Sequence, residues 1–392
     1  MGSEMCIRDS GETVLHNPSF CDDSLSSLNV AKCLGAKIRK EKDTVLIKGG
    51  LNPIHNELNC GEAGLCIRMF APIAALSTKE LILTGKGSLK SRPVSMIEKP
   101  LYNLGASCET NSGLIPIKVK GPLKGGKTTI DGSVSSQFLT GLLIALPCCN
   151  NDSELIVNNL KSSPYIDMTI EVLEKFGVII KNYRYERFLI KGGQKYKSCS
   201  FVVEGDWSGA AFLLVAAALC GEIEINMINP YSKQADRKIL DALKRAGAEV
   251  LISDKRVVVK KRELNAFEFD ATECPDLFPP LVALSSQCEG LTSIKGVKRL
   301  RFKESDRAMA LKKEFASIGA EININNDIMS IRGGKIRGGC VPSHNDHRMA
   351  MATSIAGIVS LDKVEIDNAE CVAKSYPTFF EDLKSIGGNV YE

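Results

Sequence analysis

The stretch EKFGVIIKNYRYERFLIKGG, Glu174–Gly193, runs from the end of a helical pattern through a glycine into two short alternating apolar segments joined by a polar turn. The same order returns in KCLGAKIRKEKDTVLIKGG (Lys32–Gly50), YNLGASCETNSGLIPIKVKG (Tyr102–Gly121), KRAGAEVLISDKRVVVKKR (Lys244–Arg262), ASIGAEININNDIMSIRGG (Ala316–Gly334) and the partial KSIGGNV (Lys384–Val390). The marker glycines Gly35, Gly105, Gly177, Gly247, Gly319 and Gly387 are separated by 70, 72, 70, 72 and 68 residues. A glycine after a helical run is expected in the left-handed conformation that ends a helix, and the alternation after it predicts paired strands. Self-similarity at a fixed period means one supersecondary unit used six times.

Between the markers lies a second helix type, apolar on all sides: GLCIRMFAPIAAL, SSQFLTGLLIALP, WSGAAFLLVAAAL, PDLFPPLVALSS and HRMAMATSIAGIVS. Helices of that kind are buried. Their five copies begin near Gly61, Gly132, Asp206, Asp276 and Asp346, and the spacing extrapolates a sixth to about ten residues before Met1. The chain is therefore expected to lack its first buried helix. Each full unit reads strand, buried helix, strand, amphipathic helix, strand, strand. The expected fold class is α/β (α+β), two similar domains of three βαβαββ repeats each, the first repeat incomplete. The first domain is expected over residues 11–205 and the second over 206–392, with a cleft between them. The opening MGSEMCIRDS matches nothing downstream and is expected to be a tag or assembly artefact.

Bulk composition narrows the function. The 392 residues carry 24% charged residues and a formal net charge of +4, a mild excess that does not indicate a nucleic-acid binder, for which a basic stripe or a clearly basic domain is needed. The 14 cysteines lack C-x-x-C or histidine spacing, so neither a metal centre nor a disulfide framework is expected, and free thiols in a reducing cytosol are. No run of about 18 apolar residues suggests a membrane span, and no signal peptide opens the chain.

Local charge is another matter. RLRFKESDR, Arg299–Arg307, packs four bases and two carboxylates into nine residues. The apolar stripe Ala308, Leu311, Phe315 and Ile318 predicts a helix starting close to Ser305, which would put Lys303, Glu304 and Arg307 on one face. A solvated helix face is the plainer alternative. The buried helices keep their polar residues at one end: Gly61, Glu62, Ala63 and Gly64 before Arg68; Ser133, Ser135, Ser136 and Gln137; Asp276; and Asn345, Asp346, His347 and Arg348. Helix N-termini bind phosphate and carboxylate. Capping alone would account for Ser135 to Gln137 and for Asn345 or Asp346, with His347 a satisfied structural histidine, yet a cap needs neither His347 nor Arg348.

DGSVSSQFLTGLL, SSPYIDMT, LRFKESDR, NDHRMAMA and AKSYPTFFEDL, in this order, resemble the EPSP synthase family, the enolpyruvyl transferases of the shikimate pathway. The resemblance spans Gly11 to Gly388 and implies the enolpyruvyl transferase fold, an inside-out α/β barrel-like arrangement. It implies transfer of the enolpyruvyl group of phosphoenolpyruvate to the 5-hydroxyl of shikimate 3-phosphate, without metal or organic cofactor. By matching motif positions, phosphoenolpyruvate is expected at Arg92, Arg307, Arg348, Lys374 and Gly64. Shikimate 3-phosphate is expected at Ser135, Ser136, Gln137, Ser162 and Tyr165, with Asp276 and Lys303 near its reacting hydroxyl. Asp276 is the expected base and Glu304 the expected acid at C3, with Lys303 sharing the proton traffic.

The chain departs from that family pattern in three places. The Lys-Ser pair and arginine of the first buried helix are missing, the Asn-Ala-Gly-Thr motif reads Glu62, Ala63, Gly64 and Leu65, and Arg299 stands where some members have asparagine. Little activity is therefore expected of this chain. The expected enzyme is monomeric and cytoplasmic, with two small anions as partners and neither nucleic acid nor membrane. The rival readings are an enolpyruvyl transferase for UDP-N-acetylglucosamine and a non-catalytic scaffold or RNA-binding protein on the same repeat.

Overall fold

A computed structural model describes residues 11–391 except Val134, so the opening ten residues and their expected role as a tag lie outside it. The marker glycines do what their spacing implies. All six have φ between +80° and +110°. Each is preceded by a helix, and each helix closes with the same pair of bonds. Gly35 N donates to Lys32 O and Ala36 N to Ala31 O; Gly247 N donates to Lys244 O and Ala248 N to Leu243 O. This reciprocal pair satisfies the last carbonyls and turns the chain into the next strand. A residue with a Cβ would be strained there, which is why glycine recurs.

The chain divides into two compact units between Val203 and Glu204. In the first unit the helices are α1 (Asp22–Cys33), α2 (Gly64–Ala74), α3 (Glu98–Asn103), α4 (Gln137–Ala145) and α5 (Ser163–Lys175). Its three four-stranded sheets share one design: an edge strand runs parallel to a second strand, which pairs with an antiparallel hairpin. Glu57–Asn59 lies beside Glu80–Thr84, Gly126–Asp131 beside Ser153–Asn158, and Ser200–Val202 beside Glu12–His16. The last pairing departs from the linear repeat order. In sequence Ser200–Val202 opens the fourth repeat, but it hydrogen-bonds into the sheet of the first.

The second unit carries α6 (Trp207–Cys220), α7 (Ile239–Ala246), α8 (Phe278–Ser285), α9 (Arg307–Ser317), α10 (His347–Gly357) and α11 (Phe379–Ser385). Glu268–Asp270 runs parallel to Leu291–Lys295 in a four-stranded sheet, and Gly339–Pro342 runs parallel to Val364–Asp367 in a two-stranded one. A third sheet, Glu222–Asn226, Arg256–Lys260 and Glu249–Ser253, is wholly antiparallel. A groove of about 1240 Å³ borders Glu222–Ile223 and Lys363–Asp367, and its lining includes none of the charged residues singled out above. No helix among the described residues is long and apolar enough to cross a membrane.

The all-round apolar helices are buried, as their composition requires: every residue of α4 after Gln137 and every residue of α8 is buried. In the first unit α2 and α4 pack so closely that a Cβ on Gly141 would lie 2.6 Å from Met69 O and 2.8 Å from Met69 Cα. Backbone cannot retreat as a flexible side chain does. Gly141→Ala is expected to destabilise the protein by about 1–3 kcal/mol through overpacking, read as a lower urea midpoint at unchanged slope; an unchanged midpoint would contradict this packing.

Candidate functional site

In each parallel strand pair the two chains leave the sheet at the same edge, so the loops that follow lie side by side. Ligand sites in α/β proteins gather outside such carboxyl ends, and the charged residues collect there. Within the second unit Asp276 sits in a short 3₁₀ turn (Pro275–Leu277) after the strand ending at Asp270, and Lys303 and Glu304 follow the strand ending at Lys295. Asp346 follows the strand ending at Pro342, and Lys374 ends the turn after Asp367.

The expected helix start at Ser305 is corrected by two residues. Asp306 caps α9, its side chain accepting from Met309 N at 3.3 Å, and the helix begins at Arg307. Lys303 and Glu304 therefore lie in a bend ahead of the helix and do not share a helical face with Arg307. They still converge on it through the bend. Arg307, its side chain 1% exposed, donates Nε to Asp346 Oδ2 at 2.8 Å, an Nη to Asp276 Oδ1 at 2.7 Å, and its other Nη to Asp346 Oδ1 at 3.2 Å and to Glu304. Lys303 Nζ donates to Asp276 Oδ1 at 3.0 Å. Arg348 Nε stands 3.7 Å from the same oxygen. The plainer alternative, a solvated face, does not describe these residues.

The electrostatics follow from burial and neighbours. Burial works against ionised Asp276, but Arg348, Lys303 and Arg307 outweigh it and hold the carboxyl well below the ordinary range. Asp346 is lowered in the same contest, by Arg307 above all. Burial pulls the Lys303 ammonium down, Asp276 only partly restoring it. Burial also opposes the charge on Arg307, yet Asp346, Glu304 and Asp276 raise its hold on its proton. Asp346 is the cap of α10, accepting from Arg348 N at 3.0 Å, so the capping expectation holds there, but it doubles as the main partner of Arg307. His347 is not a satisfied histidine: it is buried, its Nδ1 has no hydrogen-bond partner among the described residues, and burial pushes its pKa down to about 4.

Asp236 is a site residue that sequence reasoning misses. It lies in a 3₁₀ turn before α7, 2% exposed, accepting from the Ser208 hydroxyl on one oxygen and leaving Oδ1 without a partner. Burial first, then the charge of Asp276, raise its pKa to about 6. No spacing or motif marks it; only its burial beside other charges does.

In the first unit Arg92 lies across the start of α2, where a Cβ on Gly64 would sit 2.6 Å from its Cζ. Arg68, buried on α2, donates to Gly64 O at 3.4 Å, Pro93 O at 3.0 Å and Gln137 Oε1 at 2.9 Å, tying Gly64 and the segment after Arg92 to the start of α4. Ser135 Oγ accepts from Gln137 N at 3.2 Å, and Ser136 is buried as the residue before α4. Ser162, left-handed at φ 60° and buried, precedes α5, and Tyr165 lies in the first turn of that helix. These two reach the others through a neighbouring loop, Lys161 N donating to Gly132 O at 3.3 Å, and not through Arg68.

A raised carboxyl pKa means that the folded state disfavours the ionised form, so Asp236 costs no stability below its unfolded pKa near 4 and an increasing amount as pH rises through about 6. Asp236→Asn is expected to raise the thermal midpoint at pH 8 by several degrees and to leave it nearly unchanged at pH 4; an equal effect at both would remove the argument.

The EPSP synthase (3-phosphoshikimate 1-carboxyvinyltransferase) family model matches residues 9–383. A 3-phosphoshikimate 1-carboxyvinyltransferase of Clostridium novyi is 37% identical over 395 residues, 97% of this chain and 91% of that protein. One of Methanocorpusculum labreanum is 37% identical over 388 residues, 97% of this chain and 92% of that protein. The solved structure of EPSP synthase from Acinetobacter baumannii aligns with a TM-score of 0.82 at 26% identity, covering 99% of this chain and 94% of that one. With shared sequence over nearly its whole length and a shared two-domain fold, the chain belongs to the EPSP synthase family.

Proposed function

We infer that this protein is a 3-phosphoshikimate 1-carboxyvinyltransferase, moving the enolpyruvyl group of phosphoenolpyruvate to the 5-hydroxyl of shikimate 3-phosphate and releasing phosphate. The observation that carries the chemistry is the convergence of Lys303, Arg307 and Arg348 on the single carboxylate Asp276. The relatives bear the shikimate name and not that of the nucleotide-sugar enzyme, which leaves that rival unsupported.

The assignments are our own reading. Phosphoenolpyruvate goes to Arg307, Arg348 and Lys374, and to Arg92 above Gly64. Shikimate 3-phosphate goes to Ser135, Ser136, Gln137, Ser162 and Tyr165, its 5-hydroxyl toward Asp276 and Lys303. The hydroxyl oxygen adds to C2 while C3 takes a proton, giving a tetrahedral adduct; loss of phosphate and of a C3 proton restores the double bond. Asp276 accepts the hydroxyl proton and Glu304 serves C3, with Lys303 alongside. A carboxylate held well below its ordinary pKa is a weak base. Two bound anions change that, because they draw on the same cations that now depress Asp276. Guanidinium forks suit the phosphate and carboxylate in bidentate geometry. The reading includes a monomer and a cytoplasmic location.

Phosphate release from phosphoenolpyruvate is expected only when shikimate 3-phosphate is present, and release dependent on UDP-N-acetylglucosamine instead would overturn the assignment. Asp276→Asn is expected to lower kcat by about 10²–10⁴-fold with the fold retained; a loss below about threefold would remove Asp276 as the base. Gly64→Ala, which drives a methyl into the Arg92 guanidinium, is expected to raise KM for phosphoenolpyruvate by about tenfold and to leave that for shikimate 3-phosphate unchanged. Equal effects on both constants would separate Arg92 from phosphoenolpyruvate.

A further inference from the structure

Helix α9 grips the loop before α10 at two points two turns apart. At its first residue Arg307 holds Asp346. Farther along, Glu314, 3% exposed, accepts from His344 Nε2 at 2.8 Å. Between those grips the backbone is strained. His344 and Asn345 have φ of 55° and 54°, two consecutive left-handed residues of which neither is glycine. Such a residue is strained and persists only where its surroundings fix it.

The kink turns the Asn345 carbonyl toward Lys374, whose Nζ donates to it at 2.6 Å. Asn345 Oδ1 accepts from Asn368 Nδ2 at 3.2 Å, and Ser343 Oγ donates to Asn368 O at 3.0 Å, which joins this loop to the one that carries Lys374. The lysine is 8% exposed. Its ammonium is thus placed by a carbonyl whose direction is set by the backbone that His344 anchors.

We propose that His344, locked by Glu314, is a positioning residue for phosphoenolpyruvate binding: it holds the left-handed kink at 344–345 and thereby sets the Lys374 ammonium. The proposal rests on the functional reading only in naming the anion. Without the Glu314 grip the two strained residues relax, Asn345 O turns away and Lys374 loses this partner, whereas Arg307, bound to three carboxylates, keeps its own.

The test uses His344→Gly, which tolerates the positive φ but cannot reach Glu314, together with His344→Asn, which tolerates it and is too short, and Glu314→Gln, which keeps an oxygen acceptor for His344. Lysine acetylation by acetic anhydride is followed residue by residue by mass spectrometry, with Lys303 as the internal reference because it is fixed by Asp276. Lys374 is expected to label about tenfold faster relative to Lys303 in His344→Gly and His344→Asn, and at the wild-type ratio in Glu314→Gln. The same two His344 variants are expected to raise KM for phosphoenolpyruvate about tenfold, with kcat and the KM for shikimate 3-phosphate within twofold of wild type. An unchanged Lys374 to Lys303 ratio in both variants overturns the proposal, as does a parallel rise of both lysines, which would mark general loosening. Turnover with UDP-N-acetylglucosamine and none with shikimate 3-phosphate would sink the functional reading instead, and the labelling ratio would still decide the role of His344.

Discussion

A guanidinium taken out of water must be compensated on all sides, and Arg307 meets that demand with three carboxylates from three loops. Asp276 comes from the turn after one strand, Glu304 from the bend after its neighbour, and Asp346 from the cap of α10. Removing one partner of such a set leaves an uncompensated buried charge, which costs about 3–5 kcal/mol. The arrangement is therefore less a source of net stability than a geometric lock. Three segments distant in sequence can close only where their acids meet one base.

The lock also explains how so many cations sit side by side. Lys303, Arg307 and Arg348 would repel one another, but each faces Asp276, and Arg307 faces Glu304 and Asp346 as well. In the proposed function, anionic substrates replace carboxylate contacts and meet a charge pattern already in place. Electrostatic preorganisation of this sort spares the site reorganisation at the moment of reaction. Asp276 is the residue most affected, since its basicity is tied to how many cations remain unshared.

Much of this was legible in the sequence because it is local. Glycine spacing, cap geometry and the all-round apolar helices depend on residues within a few turns of one another, and Gly35, Gly247 and the body of α4 behave as their neighbours require. The pairing of Ser200–Val202 with Glu12–His16 was not legible, since nothing in a three-residue strand names a partner nearly two hundred residues away. Lys303 and Glu304 were expected on a helix because the apolar stripe beyond them has helical spacing; the Asp306 cap starts that helix later. Asp346 reads as a cap in sequence and is one, but its bond to Arg307 joins residues 39 apart. Asp236 and the His344–Glu314 pair belong to no pattern at all and emerge only from burial and distance. Charge identity is thus written along the chain, and charge partnership is written by the folded topology.

The direct measure of the lock is a double-mutant cycle between Arg307 and Asp346, with Arg307→Met, Asp346→Asn and the double variant compared by urea unfolding. A desolvated, compensated pair predicts a coupling of about 2–3 kcal/mol, the double variant being hardly worse than either single one. Additive losses, with coupling below about 0.5 kcal/mol, would mean that Arg307 does not organise these loops.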